Sequence, residues 1–212
     1  MRTVDVQVYK FSELSDSAKV TARDKYREHD EFEPEYEPYE TAAAILGIDL
    51  TEERSGKRSG TWYPATTIQY SGFWSQGDGA SFTGTYKFLP GCCEKIRDEF
   101  GKDETLWGIA DRLSALHCRL RLASGGWLEG KITQDSNMYV HSHTMDATAY
   151  DKDGEEMDIA VSDEFRDLMR EFADWIYGCL EDDYNYQTSD ENVDYILEAN
   201  DYEFDEDGER AA

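Results

Sequence analysis

Positive charge is what this sequence has least of. Its 212 residues hold 21 Lys and Arg against 47 Asp and Glu, a formal net charge of −26. An acidic surface repels phosphates and anionic headgroups, which argues against direct binding to nucleic acid or to a membrane. No apolar run reaches the roughly 18 residues of a membrane span. The start, Met1-Arg2-Thr3-Val4-Asp5, has no apolar signal segment, so a cytoplasmic protein is expected. Cysteine is scarce too. Cys92, Cys93, Cys118 and Cys179 lack C-x-x-C spacing, and a bridge between the two adjacent ones would be strained, so free thiols in a reducing compartment are expected.

Chemical motifs are equally thin. There is no nucleophile elbow, P-loop or H-E-x-x-H, so no catalytic residue is assigned and a non-enzyme is expected. Gly77-x-Gly79-x-x-Phe82 lacks the third glycine of a dinucleotide fingerprint and precedes a strand pattern, not a helix. His141-x-His143 puts two imidazoles on one side of an expected strand, which is half a metal site. Asp151-Lys152-Asp153-Gly154 hints at a calcium loop, but placing Gly154 sixth puts Ala149 first and Ala160 twelfth, and neither can ligate. No cofactor and no metal are expected.

What the chain does contain is aromatic side chains, 14 Tyr, nine Phe and five Trp, which an acidic disordered chain would lack. A folded core follows. Val4, Val6 and Val8 alternate with polar residues, predicting a strand over Arg2–Tyr9. Ser15 caps a helix from Asp16 to about His29, and a second helix covers Tyr39 to Leu46 before Gly47. Residues 52–60 form a polar loop, and the β pattern from Tyr63 to Phe88 contains a hairpin loop over Gly72–Phe82. Helices are expected near 91–100 and 103–118, then strands over Arg119–Ala123, Trp127–Thr133 and Met138–Tyr150. Phe165, Leu168, Met169, Phe172, Trp175, Ile176, Cys179 and Leu180 make the apolar stripe of a helix from Ser162 to Leu180, and a last helix spans Asp190 to Asn200. The expected class is α+β, an antiparallel sheet packed by helices with an acidic helical C-terminal region. The expected division is a core over residues 1–160 and an acidic region over 161–212, with 203–212 a frayed tail.

The charge is uneven. Residues 1–60 carry 9 basic and 14 acidic groups, residues 61–150 carry 8 and 10, and residues 151–212 carry 4 and 23. Nineteen uncompensated charges in the last 62 residues repel one another, and a cationic partner would relieve that repulsion. The candidate partner-binding residues are therefore Asp163, Asp167, Glu171, Asp174, Glu181, Asp182, Asp183, Asp190, Glu191 and Asp194. Phe73 and Trp74 join them as aromatic anchors on the glycine-rich loop. The net charge of −26 equals the phosphate charge of roughly 13 base pairs of B-form DNA, so the surface is one that fits a basic nucleic-acid channel.

Phe11-Ser12-Glu13-Leu14-Ser15 with Ala18-Lys19 and Ala22, and then Ser71-Gly72-Phe73-Trp74-Ser75-Gln76-Gly77-Asp78-Gly79-Ala80-Ser81-Phe82, resemble small acidic proteins of phages and prophages, some labelled antitoxin-like. The resemblance covers residues 11–82 and implies a phage-side origin, with no catalytic residues to carry over. By charge analogy alone, the expected function is a phage-encoded inhibitor of a host restriction or CRISPR-type nuclease complex. It would occlude a basic nucleic-acid-binding site by DNA mimicry. An antitoxin-like regulator of one basic toxin, and an enzyme on a host metabolite or signalling nucleotide with a pocket near Trp74, Gln76 and His141, remain as alternatives. The expected partner is a basic protein surface, and exposed aromatics leave a homodimer open.

Overall fold

Strong local signals set most of the elements in the computed structural model, which describes residues 7–29, 32–52, 65–124, 126–134 and 139–211. In chain order these are β1 Tyr9–Lys10, α1 Asp16–His29, α2 Glu37–Leu46, β2 Ile48–Asp49, β3 Thr51–Glu52, β4 Ala65–Thr66, β5 Gln69–Tyr70, β6 Ala80–Ser81 and β7 Gly84–Lys87. There follow α3 Cys92–Glu99, α4 Glu104–Ser124, β8 Glu129–Gln134, β9 Met145–Tyr150, α5 Ile159–Gln187, α6 Asp190–Ala199 and β10 Glu203–Phe204. Every strand pairing among the described residues is antiparallel, and the fold is α+β.

The chain forms two units, and the division differs from the expected one after residue 160. Glu35–Cys179 make a central unit, while Met1–Pro34 and Leu180–Ala212 fold together as a flank unit. The reason lies in small apolar anchors at both ends of the sequence.

In the central unit a four-stranded sheet runs in the order β2-β7-β8-β9. Alternate residues Met145, Ala147 and Ala149 of β9 are buried, matched across the register by Ile132 and Gly130 of β8. Helix α5 lays its apolar stripe on this face. Phe165, Leu168, Met169, Phe172, Trp175 and Ile176 are all buried, and the Phe165 ring lies so close to Gly130 that a Cβ there would come within 2.4 Å of it. The helix begins earlier than its apolar pattern, because Asp158 caps it by accepting a hydrogen bond from the Val161 amide at 3.0 Å. Helix α4 is capped by Asp103, whose Oδ1 accepts from the Leu106 amide at 2.9 Å while Oδ2 accepts from Trp175 Nε1 at 2.7 Å. One carboxylate thus starts one helix and fixes the core face of another.

Three expectations in this unit need correction. Arg119–Ala123 is helical, not a strand, as the final turns of α4. Its Arg-Leu alternation mimics a period of two, but both residues extend a helix already nucleated upstream, leaving Leu122 exposed. Strand β9 starts at Met145, and the described part of the expected strand before it, from Tyr139, is not strand, because Ser142–Thr144 is a 3-10 turn; Met138 lies outside the described residues. His141 therefore caps that turn and His143 lies within it, their rings stacked 4.9 Å apart, and the two do not share a strand face. The polar loop expected over 52–60 lies, apart from Glu52, outside the described residues, as does most of the Arg2–Tyr9 strand.

His117 is the buried polar residue with the clearest physical consequence. Its ring stacks on Phe88 at 3.7 Å and meets the edge of Trp127 at 4.8 Å. Burial first, and Arg121 second, push its imidazole below the ordinary histidine value. A depressed folded pKa means that stability is complete above about pH 6.5. Below that the unfolded chain takes the proton first, and stability falls as pH drops toward the folded value. The urea midpoint of wild type is expected to fall with acidification from about pH 6.5 more steeply than that of His117→Phe, which has no proton to take up.

In the flank unit α1 and α6 pack through Ala18, Ala22, Val193 and Leu197, with Phe11, Leu14 and Phe204 completing a small core. Residues 203–211 are not a frayed tail. Strand β10 pairs with β1, Phe204 meets Phe11 at 6.1 Å, and the Asp205 carboxylate accepts from the Asp207 and Glu209 amides to close a tight turn. An Asp-x-Asp-Gly turn signal and the aromatics Tyr202 and Phe204 outweigh the acidity of the segment.

Candidate functional site

The loop between β5 and β6 is held rigid from within. The Asp78 carboxylate accepts from the amides of Trp74 at 2.7 Å and Ser75 at 2.6 Å. Ser71 Oγ accepts from the Gly79 amide and donates to the Val140 carbonyl, both at 3.1 Å. Tyr177 of α5 donates its hydroxyl to the Gly72 carbonyl at 3.1 Å and stacks on Phe73 at 5.7 Å, with Tyr70 on Phe73 at 5.5 Å. Burial raises the Tyr70 phenol above its usual value, in keeping with a packed ring. Phe73 is therefore a strut, not an exposed anchor. Trp74, the next residue, is 82% exposed. The rigid frame presents a large amphipathic ring to solvent at little entropic cost.

Beside the loop's tyrosine strut runs the polar face of α5. Asp163, Asp167, Glu171 and Asp174, spaced by four, four and three residues, fall on one side of the helix. Their charges are not equally open. Glu171 is held bidentate by Arg112, and that contact raises the guanidinium's pKa. Asp163 pairs with Arg166 at 2.8 Å. Asp167 and Asp174 are exposed and have no ion-pair partner among the described residues.

The flank unit holds the other predicted carboxylates and uses several of them internally. Arg23 grips both oxygens of Asp194, at 2.6 and 2.7 Å, and reaches Asp190 at 3.4 Å. Arg27 also binds Asp190 and donates to the Thr188 carbonyl at 2.8 Å. The Arg27 hydrogen bond, foremost, holds the Asp190 carboxyl below its ordinary range. Asp183 accepts from Gln187 at 3.0 Å. Asp190 and Asp194 thus staple α6 to α1, while Glu181, Asp182 and Glu191 have no ion-pair partner among the described residues. Sequence reasoning missed this because it set Arg23 and Arg27, four apart on α1, against the acid of their own segment only. The unit still carries 7 Lys and Arg against 21 Asp and Glu, a net charge of −14.

Gln76 is exposed at the loop tip, and His141 is half-buried with Nδ1 accepting from the His143 amide at 3.1 Å. Among the described residues no group of three or more His, Cys, Asp or Glu is placed to hold a metal ion. No helix among them is long and apolar enough to cross a membrane.

Residues 32–190 match the family described as a domain of unknown function, DUF8835. The chain belongs to the DUF8835 family. The DUF8835 match contains the whole central unit, Glu35–Cys179, and leaves α1 and most of α6 outside it. The Trp74 loop and the α5 carboxylates lie inside the DUF8835 region. No curated protein and no solved structure matches the chain.

Proposed function

We propose that this protein is an inhibitor that occupies a basic nucleic-acid-binding surface on a host restriction or CRISPR-type nuclease complex. The observation that carries the reading is the pairing of an exposed, rigidly framed Trp74 with unneutralised carboxylates at Asp167 and Asp174 of the neighbouring helix. Such a surface offers one desolvating aromatic anchor and a field that steers a cationic partner in. The resemblance of Ser71–Phe82 to phage proteins supports a phage-side origin in the host cytoplasm. Asp190, Asp194 and Phe73 have structural work within the fold and are left out of the contact surface.

The test is plasmid cleavage by a panel of purified restriction and CRISPR-type nucleases, titrated with the protein at low and high salt. Stoichiometric inhibition that weakens as salt rises is expected for the target. Asp167→Lys with Asp174→Lys is expected to weaken inhibition roughly tenfold. Trp74→Ala should weaken it about thirtyfold, in each case with the unfolding midpoint unchanged. Inhibition by the double lysine variant as strong as by wild type removes the electrostatic basis of the reading, and a panel with no inhibited member removes its target class.

A further inference from the structure

The flank unit carries a half-open cavity of 440 Å³ that the binding-surface reading does not use. Its size falls in the ordinary range of small-molecule sites. Leu197 and Phe204 line an apolar floor, Tyr26 and Tyr202 supply rings, and Lys25, His29 and Arg210 stand with Glu209 among the lining side chains. All the lining residues lie outside the DUF8835 match, so the cavity is a property of this chain's flanks and not of the family domain.

Its charge runs against its surroundings. Lys25 and Arg210 against Glu209 leave the lining at +1 with His29 neutral, in a unit of net −14. Two of that unit's seven Lys and Arg are gathered at one hole. The Arg210 guanidinium lies over the Tyr202 ring, 4.0 Å from its centroid, and among the described residues its side chain donates no hydrogen bond to protein. One face of the guanidinium is covered by the phenol, while the exposed outer face and its N–H edge are open to an anion. Lys25 donates to Glu28 at 3.2 Å, which leaves further ammonium protons for a ligand.

The wall bearing these groups is built to hold its shape. Gly208 has φ of 90°, and a Cβ there would come within 2.1 Å of the Ala18 carbonyl oxygen, so only glycine lets the turn approach α1 this closely. Asp205 N–H donates to the Glu209 carbonyl at 2.9 Å and Ala211 N–H to the Glu203 carbonyl at 2.8 Å, fixing Glu209 and Arg210 between them.

We propose that this cavity binds a small anion that joins a flat heteroaromatic ring to a phosphate through a sugar, which is the chemistry of a nucleoside monophosphate. The ring lies over the apolar floor between the tyrosines, and the phosphate meets the donors of Lys25 and Arg210.

The test is isothermal titration calorimetry of the full chain at low salt. The probes are the monophosphates of adenosine, guanosine, cytidine and uridine, with adenosine and inorganic phosphate as the separated halves. At least one monophosphate is expected to bind, more tightly than adenosine or phosphate by roughly tenfold or more. Arg210→Met and Lys25→Met, each checked for an unchanged circular dichroism spectrum and unfolding midpoint, should weaken that binding by about tenfold. Three results overturn the proposal: no heat with any monophosphate up to about 1 mM, adenosine or phosphate alone binding as tightly as the monophosphate, or unchanged affinity in both variants.

Discussion

Phe172→Ala is expected to lower the stability of the central unit by about 3–5 kcal/mol, read as a drop in urea midpoint at constant slope. Phe172 is fully buried on α5 and joins two ring systems. It meets Phe82 edge-on at 5.6 Å, and it stacks on Trp175 at 5.4 Å. Trp175 in turn abuts Tyr39 of α2 at 5.9 Å and Phe100 at 6.0 Å, and its indole N–H is spent on Asp103. Removing the Phe172 ring forfeits its burial and leaves a void whose walls are tied elsewhere and cannot collapse into it. Phe172→Leu, which keeps most of the volume, should cost markedly less. Equal losses for the two variants would mean that cavity formation is not the governing cost.

Gly47→Ala should cost about 3 kcal/mol, from a left-handed backbone penalty of about 1–2 kcal/mol and a displacement of β7 of similar size. Gly47 ends α2 at φ of 91°, accepting from the Lys87 amide at 2.8 Å through its own carbonyl. A Cβ at this position would sit 2.0 Å from the Lys87 carbonyl oxygen and 3.3 Å from Leu89 Cγ. The end of β7, an inner strand of the sheet, has to move to admit it. Gly101 supplies the control, with φ of 53° and no atom within 4 Å of the place a Cβ would take. Gly101→Ala should show the backbone penalty alone, about 1 kcal/mol. Thermal or urea unfolding of the pair separates conformational cost from steric cost, and equal losses would contradict the close approach to β7.

The contrast between these glycines shows what was legible in the sequence. Gly47 was readable as a helix stop because apolar periodicity ends just before it, but its contact with Lys87 is a tertiary fact with no local trace. The apolar stripe of α5 was legible for the same reason of period, and it placed Phe172 and Trp175 in the core. The Gly72–Phe82 segment was legible as a hairpin loop, though not that Asp78 and Tyr177 brace it or that Phe73 faces inward while Trp74 faces out. Failures came where a local pattern competes with context. Arg119–Ala123 alternates as a strand does, yet the helix upstream carries through it. The acidic stretch after Tyr202 looks like a tail, yet Phe204 finds Phe11 across almost the entire chain. Charge was legible as a sum and not as an arrangement. Arg23 and Arg27 neutralise Asp190 and Asp194 from a segment more than 160 residues away, so counting carboxylates by window overstated how many were open.

The flank unit joins segments at opposite ends of the sequence around the DUF8835 domain. Lys10 and Glu203, which bond across β1 and β10, are separated by 193 positions. During synthesis on the ribosome, α1 therefore emerges long before α6 and waits with Ala18, Ala22 and Phe11 uncovered while the whole central unit is made. The central unit has all of its sheet partners available earlier and closes first. Any step that stalls translation after α5 and before α6 leaves a finished central unit preceded by a sticky, partnerless amphipathic helix, which makes the unit added by the flanks the one most dependent on uninterrupted translation.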